Sequence, residues 1–194
     1  VLTKITFLAG AYLLGSIPVG LLLAKAAGVN IRETGSGNIG ATNVYRTLGR
    51  TVGIMTLVGD CLKGLLPALL AQKLALPDHW LAAICLAAFL GHVYTIFLGF
   101  KGGKGVATAL GVFLAVAPLA VLFALIAFIV VIRLWRYVSL ASITAAALMP
   151  LLVALLDRRP VIIAMTLAIA LLVIYKHKDN IQRLREGTES KFKA

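Results

Sequence analysis

Three polar stretches carry the groups that could act on a phosphorylated substrate. The first, Phe100-Lys101-Gly102-Gly103-Lys104-Gly105-Val106-Ala107-Thr108, sets three glycines and two lysines between two apolar segments. Glycine has no Cβ, so the backbone can take positive φ and turn successive N–H groups toward one anion. A helix starting just after the glycines adds unpaired amides and a positive dipole end. The stretch reads as a phosphate cradle. At this point a basic turn anchoring two spans to anionic headgroups explains it equally well. It is not a Walker A loop, which needs Gly-x-x-x-x-Gly-Lys followed by Ser or Thr. Leu98 stands at the first glycine position and Gly105 follows Lys104.

The second stretch, Gly35-Ser36-Gly37-Asn38-Ile39-Gly40-Ala41-Thr42-Asn43-Val44-Tyr45-Arg46, has the spacing of a dinucleotide fingerprint. That fingerprint requires a preceding strand and a βαβ unit, whereas an apolar run and a charged linker come before it here. What remains is a glycine-loosened loop whose Ser36, Asn38, Thr42, Asn43 and Arg46 can bind oxyanions or a hydroxyl group. The third stretch holds His177 and Asn180, three residues apart at the basic end of an apolar run. A histidine there can serve as general base or phosphate-binding cation, or simply sit at a helix C-terminus. Phe97 stands where the acid would follow His92, so the His-x4-Asp pattern of many lipid acyltransferases is absent. Ser139 and Ser142 read as packing or capping serines. The seven acids, Glu33, Asp60, Asp78, Asp157, Asp179, Glu186 and Glu189, are scattered, whereas a metal-dependent site groups carboxylates around the ion. Lysine, arginine and amides are therefore expected to neutralise phosphate directly, without metal or cofactor.

These residues must be positioned by membrane helices. Of 194 residues, 61% are hydrophobic and 13% charged, with mean hydropathy +1.00. That is an integral membrane composition. The net charge of +12 fits topology signals and anionic substrates or lipids rather than nucleic acid. Apolar runs cover 2–24, 52–72, 80–98, 106–132, 138–156 and 160–176, each near the roughly 20 residues of a span. Residues 1–24 read as a retained first span, with Gly15, Pro18 and Gly20 as packing and kink positions. Splitting 106–132 near Pro118 gives seven crossings. That count places 25–51, 99–105, 133–137 and 176–194 on the cytoplasmic side, with their lysines and arginines. The expectation is an all-α, polytopic, seven-helix bundle, N-terminus outside and C-terminus cytoplasmic, forming one membrane-embedded domain over 1–194. Asp60 and Lys63 share a face of the second span and read as structural support, paired with each other while Lys63 snorkels. Cys61 and Cys85 lie in apolar runs and read as core residues.

Taken together, GSGNIGATNVYR, GHVYTIFLGFKGGKGVAT and HKDNIQRLREGTE, with GDCLKG around Asp60 and SLAS at Ser139–Ser142, closely resemble the bacterial membrane acyl-phosphate:glycerol-3-phosphate acyltransferase family. The resemblance implies acyl transfer from acyl phosphate to the 1-hydroxyl of sn-glycerol 3-phosphate, releasing lysophosphatidate and phosphate in phospholipid biosynthesis. It also implies a multi-pass protein of the bacterial inner membrane with its site toward the cytoplasm. On this reading the acyl-phosphate head rests on the Gly102, Gly103 and Gly105 amides, near Ser36, Asn38, Thr42 and Asn43. Arg46, Lys104, Ser142, His177 and Asn180 hold glycerol 3-phosphate. Lys104, His177, Arg46 and Ser36 are the expected catalytic set, with either His177 or the leaving phosphate as base. The partners expected are the two substrates and the bilayer, with no nucleic acid and no obligatory protein. A phosphate-ester transporter is disfavoured because the glycine–lysine loop occurs once rather than in paired repeats. A headgroup-binding scaffold would not need Arg46, His177 and Asn180 together.

Overall fold

The computed structural model describes residues 2–192; Val1, Ala194 and Lys193, the last cation of the basic tail, lie outside them. The described regular structure is helical and falls into two compact units, one ending at Val116 and one starting at Ala117. The first contains α1 (Leu2–Ser16), α2 (Val19–Ala26), α3 (Ala41–Leu48), α4 (Arg50–Lys73), α5 (Asp78–Val93) and α6 (Val106–Val116). The second contains α7 (Pro118–Trp135), α8 (Val138–Leu156), α9 (Pro160–Lys176) and α10 (Lys178–Arg185).

Prolines set two of the breaks. Pro18 lacks an N–H and its ring blocks helix continuation, so α1 stops at Ser16 and α2 resumes at Val19. Near Pro118 the long apolar run divides as expected, because Ala117 leaves the helix and Pro118 opens α7. The pieces are unequal, 11 residues for α6 and 18 for α7, since α7 continues past the apolar run to Trp135. Five stretches are long and apolar enough to span a bilayer, Leu2–Ala26, Arg50–Lys73, Asp78–Leu98, Pro118–Trp135 and Val138–Leu156. These are the spans among the described residues, with a sixth if α9 and α10, bent by 54° at His177, count as one.

Within the first unit α4 packs on α6 and α1 on α5. Both pairs are built on glycines whose missing side chains let backbones touch. A Cβ at Gly64 would overlap the Thr108 carbonyl, and one at Gly111 the Cys61 carbonyl. In the other pair Gly15 lies against the Ala88 backbone and Gly91 against that of Tyr12. Lipid gives helices little hydrophobic reason to associate, so such close dispersion contacts carry the packing. Where these helices meet, the Asp60–Lys63 pair is buried, at 2% and 4% exposure, with the charges 2.9 Å apart. The expected pairing holds, but Lys63 does not snorkel. Its ammonium donates instead to the Ile17 carbonyl at 2.8 Å, an acceptor created by the α1–α2 break. In the second unit α8 packs against α7 and α9, and α10 against α8 and α9. The α7 surface is lined with exposed Leu122, Phe123, Ile126 and Ile129, the side such a helix offers to lipid.

Candidate active site

In the first unit, the segment between α2 and α3 is tied down by apolar anchors. Ile31, Ile39 and Val44 are buried with Ala24, and Leu21, Val52 and Leu98 pack against them. Asn43 then shapes the polar loop from inside. Its Oδ1 accepts the Ser36 amide at 2.9 Å, while Nδ2 donates to the carbonyls of Asn38 at 2.9 Å and Thr34 at 3.0 Å. With its side chain 3% exposed and committed to these bonds, Asn43 organises the loop. Asn38 accepts the Gly40 amide at 2.9 Å just ahead of α3. Ser36 and Arg46 are exposed, and Thr42 and Asn38 half-buried, so one small surface presents two hydroxyls, an amide and a guanidinium.

The glycine–lysine loop is laid on the C-terminal end of α5. After α5 the chain is pinned where Thr95 Oγ1 donates to the Ser16 carbonyl and Tyr12 Oη to the Tyr94 carbonyl, both at 2.6 Å. It then turns back. The Gly102 amide donates to the Val93 carbonyl at 3.2 Å and the Gly103 amide to the His92 carbonyl at 3.1 Å. The two amides expected to hold the acyl-phosphate head are thus bonded to the end of α5 in this structure. A helix leaves its last carbonyls without intrahelical partners, and Gly102 and Gly103 satisfy two of them for α5. The donors that suit a phosphate lie one step further along. α6 opens at Val106, with the Ala109 amide bonded to the Gly105 carbonyl at 2.7 Å, so its first turn offers the usual unladdered amides and positive end. Gly105 takes φ +86°, and a Cβ there would overlap the Phe89 ring, so glycine is required twice over. Lys104, half-buried, lies between these two glycines.

In the second unit one of the expected residues, Asn180, meets an acid that sequence reading left unassigned. Glu189, 8% exposed, accepts Ser139 Oγ at 2.7 Å and Asn180 Nδ2 at 2.8 Å on one carboxylate oxygen. Arg183 Nε donates to the other at 2.8 Å. Burial raises the Glu189 pKa, but the hydrogen bonds from Ser139, Arg183 and Asn180 outweigh it and hold the carboxyl below the ordinary range. Nothing in local periodicity connects Glu189 with Ser139, 50 residues away. Only the invariably modest clue of an acid in the third polar stretch pointed there. Asn180 Nδ2 thus donates to Glu189, while its Oδ1 is the side chain's acceptor atom. Ser142 donates to the Val138 carbonyl one turn back, at 2.8 Å. His177 stands at the α9–α10 bend, 3% exposed, with Nδ1 2.7 Å from the Val173 carbonyl. A carbonyl can only accept, so Nδ1 carries a proton and in the neutral ring Nε2 holds the lone pair. The ring is therefore oriented by backbone, where no carboxylate was spaced to do so.

With this geometry established, comparison with known proteins identifies the class. Residues 5–187 match the glycerol-3-phosphate acyltransferase family, and the chain belongs to that family. It is 69% identical to the glycerol-3-phosphate acyltransferase of Geobacter sulfurreducens and 71% identical to that of Geobacter metallireducens, with 100% of each chain covered. The Aquifex aeolicus glycerol-3-phosphate acyltransferase is 48% identical over 94% of this chain and 95% of its own. Crystal structures of PlsY, an integral membrane glycerol 3-phosphate acyltransferase, are similar in their glycerol 3-phosphate and lysophosphatidic acid forms. Both are 44% identical, with TM-scores of 0.95 and 0.92, covering 98% of this chain and 96% of theirs. The chain is accordingly an acyltransferase and an integral membrane protein.

Proposed function

We propose that this protein transfers a fatty acyl group from acyl phosphate to the 1-hydroxyl of sn-glycerol 3-phosphate, giving lysophosphatidate and inorganic phosphate. The observation that carries the reading is the glycine–lysine loop, which sets Lys104 ahead of the α6 N-terminus. Acyl phosphate is a mixed anhydride with phosphate as leaving group, so no acyl-enzyme intermediate is needed. The substrate hydroxyl oxygen attacks the carbonyl carbon, a C–O bond forms, and the bond from that carbon to the phosphate oxygen breaks. Lys104, Arg46 and the first amides of α6 neutralise phosphate charge and stabilise the oxyanion that develops on the carbonyl. Ser36, Asn38 and Thr42 hold the same headgroup, while Asn43, Gly102 and Gly103 shape its surroundings. Arg46, Lys104, Ser142, His177 and Asn180 hold glycerol 3-phosphate. The hydroxyl proton passes to His177 Nε2 or directly to the departing phosphate, which needs no protein base.

The proposal includes a single acyltransferase domain over 1–194, supported by a family match that runs through both units. It also includes seven crossings, counting α6 with the six membrane-length elements. The N-terminus then lies outside and the active site faces the cytoplasm of a bacterial inner membrane, as the distribution of lysine and arginine favours. Purified protein supplied with glycerol 3-phosphate and either acyl phosphate or an acyl thioester tests the donor. Lysophosphatidate with stoichiometric phosphate from acyl phosphate is the expected result. Product from the thioester alone would overturn the assignment.

A further inference from the structure

We propose that His92, braced by Asp60 and Lys63, is a positioning residue that sets the height and direction of the glycine–lysine loop. The proposal builds on the assignment of that loop to acyl phosphate, and the experiment below separates the two. Three buried polar side chains form a line inside the first unit, at 4% exposure for His92, 2% for Asp60 and 4% for Lys63. The line begins at the Ile17 carbonyl, which accepts the Lys63 ammonium at 2.8 Å. It continues through Asp60 Oδ1, 2.9 Å from Lys63 Nζ and 3.6 Å from His92 Nδ1. It ends at the far ring nitrogen, where a Cβ on Gly103 would overlap Nε2.

His92 therefore meets the loop twice. Its backbone carbonyl accepts the Gly103 amide at 3.1 Å, and its ring occupies the space a side chain at residue 103 would need. Phe89, one turn earlier on α5, meets Gly105 in the same way. The two rings form a floor under the residues on either side of Lys104. A carboxylate 3.6 Å from Nδ1, too far for a hydrogen bond, still favours by its charge a proton on that nitrogen and the ring orientation that presents it. Burying an acid and a lysine inside a membrane helix is costly, and an apolar pair of similar volume commonly serves stability as well or better. What the ionic line supplies here is a ring with one orientation beneath a loop made of glycine, which has no side chains of its own to hold it.

The test is a two-by-two cycle of His92→Ala and Gly103→Ala in the full-length membrane protein, reading KM for each substrate, kcat and thermal unfolding. His92→Ala is expected to raise one KM by about 10-fold or more while the other stays within about 2-fold, because small misplacements of binding groups cost that much. Gly103→Ala is expected to be as damaging in the wild-type background but to add no further loss once the ring is gone, a non-additivity that marks direct contact. If the raised KM is that of acyl phosphate, both readings stand. If it is that of glycerol 3-phosphate, His92 still positions the loop and the substrate assignment falls. Unchanged KM values for both substrates in folded His92→Ala, or an equal Gly103→Ala penalty in both backgrounds, would overturn the proposal. Should His92→Ala not fold, His92→Asn is read by the same criteria, being shorter and still polar.

Discussion

In the first unit a buried acid, Asp60, lies within a membrane-length helix, and its charge is met by Lys63 one turn on and by His92 across the packing. In the second, Glu189 lies in the chain after α10 and collects a serine hydroxyl, an asparagine amide and an arginine. Both acids organise protein groups around them, but they organise different things. Around Asp60 the product is a backbone platform, the glycine loop, on which Lys104 is mounted. Around Glu189 the product is a set of side chains, with Asn180 oriented by the carboxylate and His177 by a carbonyl. The first arrangement should be sensitive to added volume and the second to lost hydrogen bonds.

Substitutions that break this contrast should differ most at Lys104. Lys104→Ala removes the mounted cation and leaves the platform, so turnover should fall about 10²–10³-fold with thermal unfolding unchanged. Activity near wild type would show that the platform, not the cation, carries the phosphate. Glu189→Ala should act on stability instead. It strands the Ser139 hydroxyl and Asn180 amide in a buried site, at about 2–4 kcal/mol together, measurable by denaturation in detergent. Exposed Glu186→Ala, three residues earlier, should stay within about 0.5 kcal/mol. Asn43→Ala is the matching experiment in the first unit and should cost about 2–3 kcal/mol through the loop bonds it frees.

Smaller effects sharpen the second unit. His177→Gln is expected to raise the KM for glycerol 3-phosphate about 10-fold and to spare kcat, as befits a binding histidine. A collapse of kcat together with loss of a pH–rate limb would make it the base. The Glu189 carboxyl is held below its ordinary range in the folded state, so its stabilising contribution is complete above the unfolded value and disappears as pH falls through the folded one. Acid unfolding curves of Glu189→Gln should lack that loss. Last comes Asp157, whose pKa is lowered first by the hydrogen bond from Arg159. Its partner is about one-third exposed, so Asp157→Asn should change stability by less than about 1 kcal/mol.

The membrane-length helices were legible in the sequence because each is an apolar run bounded by glycine, proline or charge, whereas α3 and α10 are polar. The division near Pro118 was legible for the same reason. The three polar stretches were legible as chemistry because density of small polar groups and cations does not depend on knowing their neighbours. What escaped was every interaction decided by which helices meet. The Gly102 and Gly103 amides read as anion donors until the end of α5 was found to claim them. Glu189 was one scattered acid among seven, since its serine partner lies on another helix. Lys63 was expected to reach for the interface, because nothing in its own helix announced a carbonyl exposed by the break at Pro18.

That break also constrains how the sequence can drift. A substitution such as Pro18→Ala that lets α1 run into α2 would turn the Ile17 carbonyl along the helix axis and away from Lys63. By ordinary helix propensity it is an improvement, yet it would leave an ammonium stranded beside Asp60. Positions 17, 18, 60, 63 and 92 are thus physically coupled, and Pro18→Ala should be tolerated better once Lys63 has been replaced.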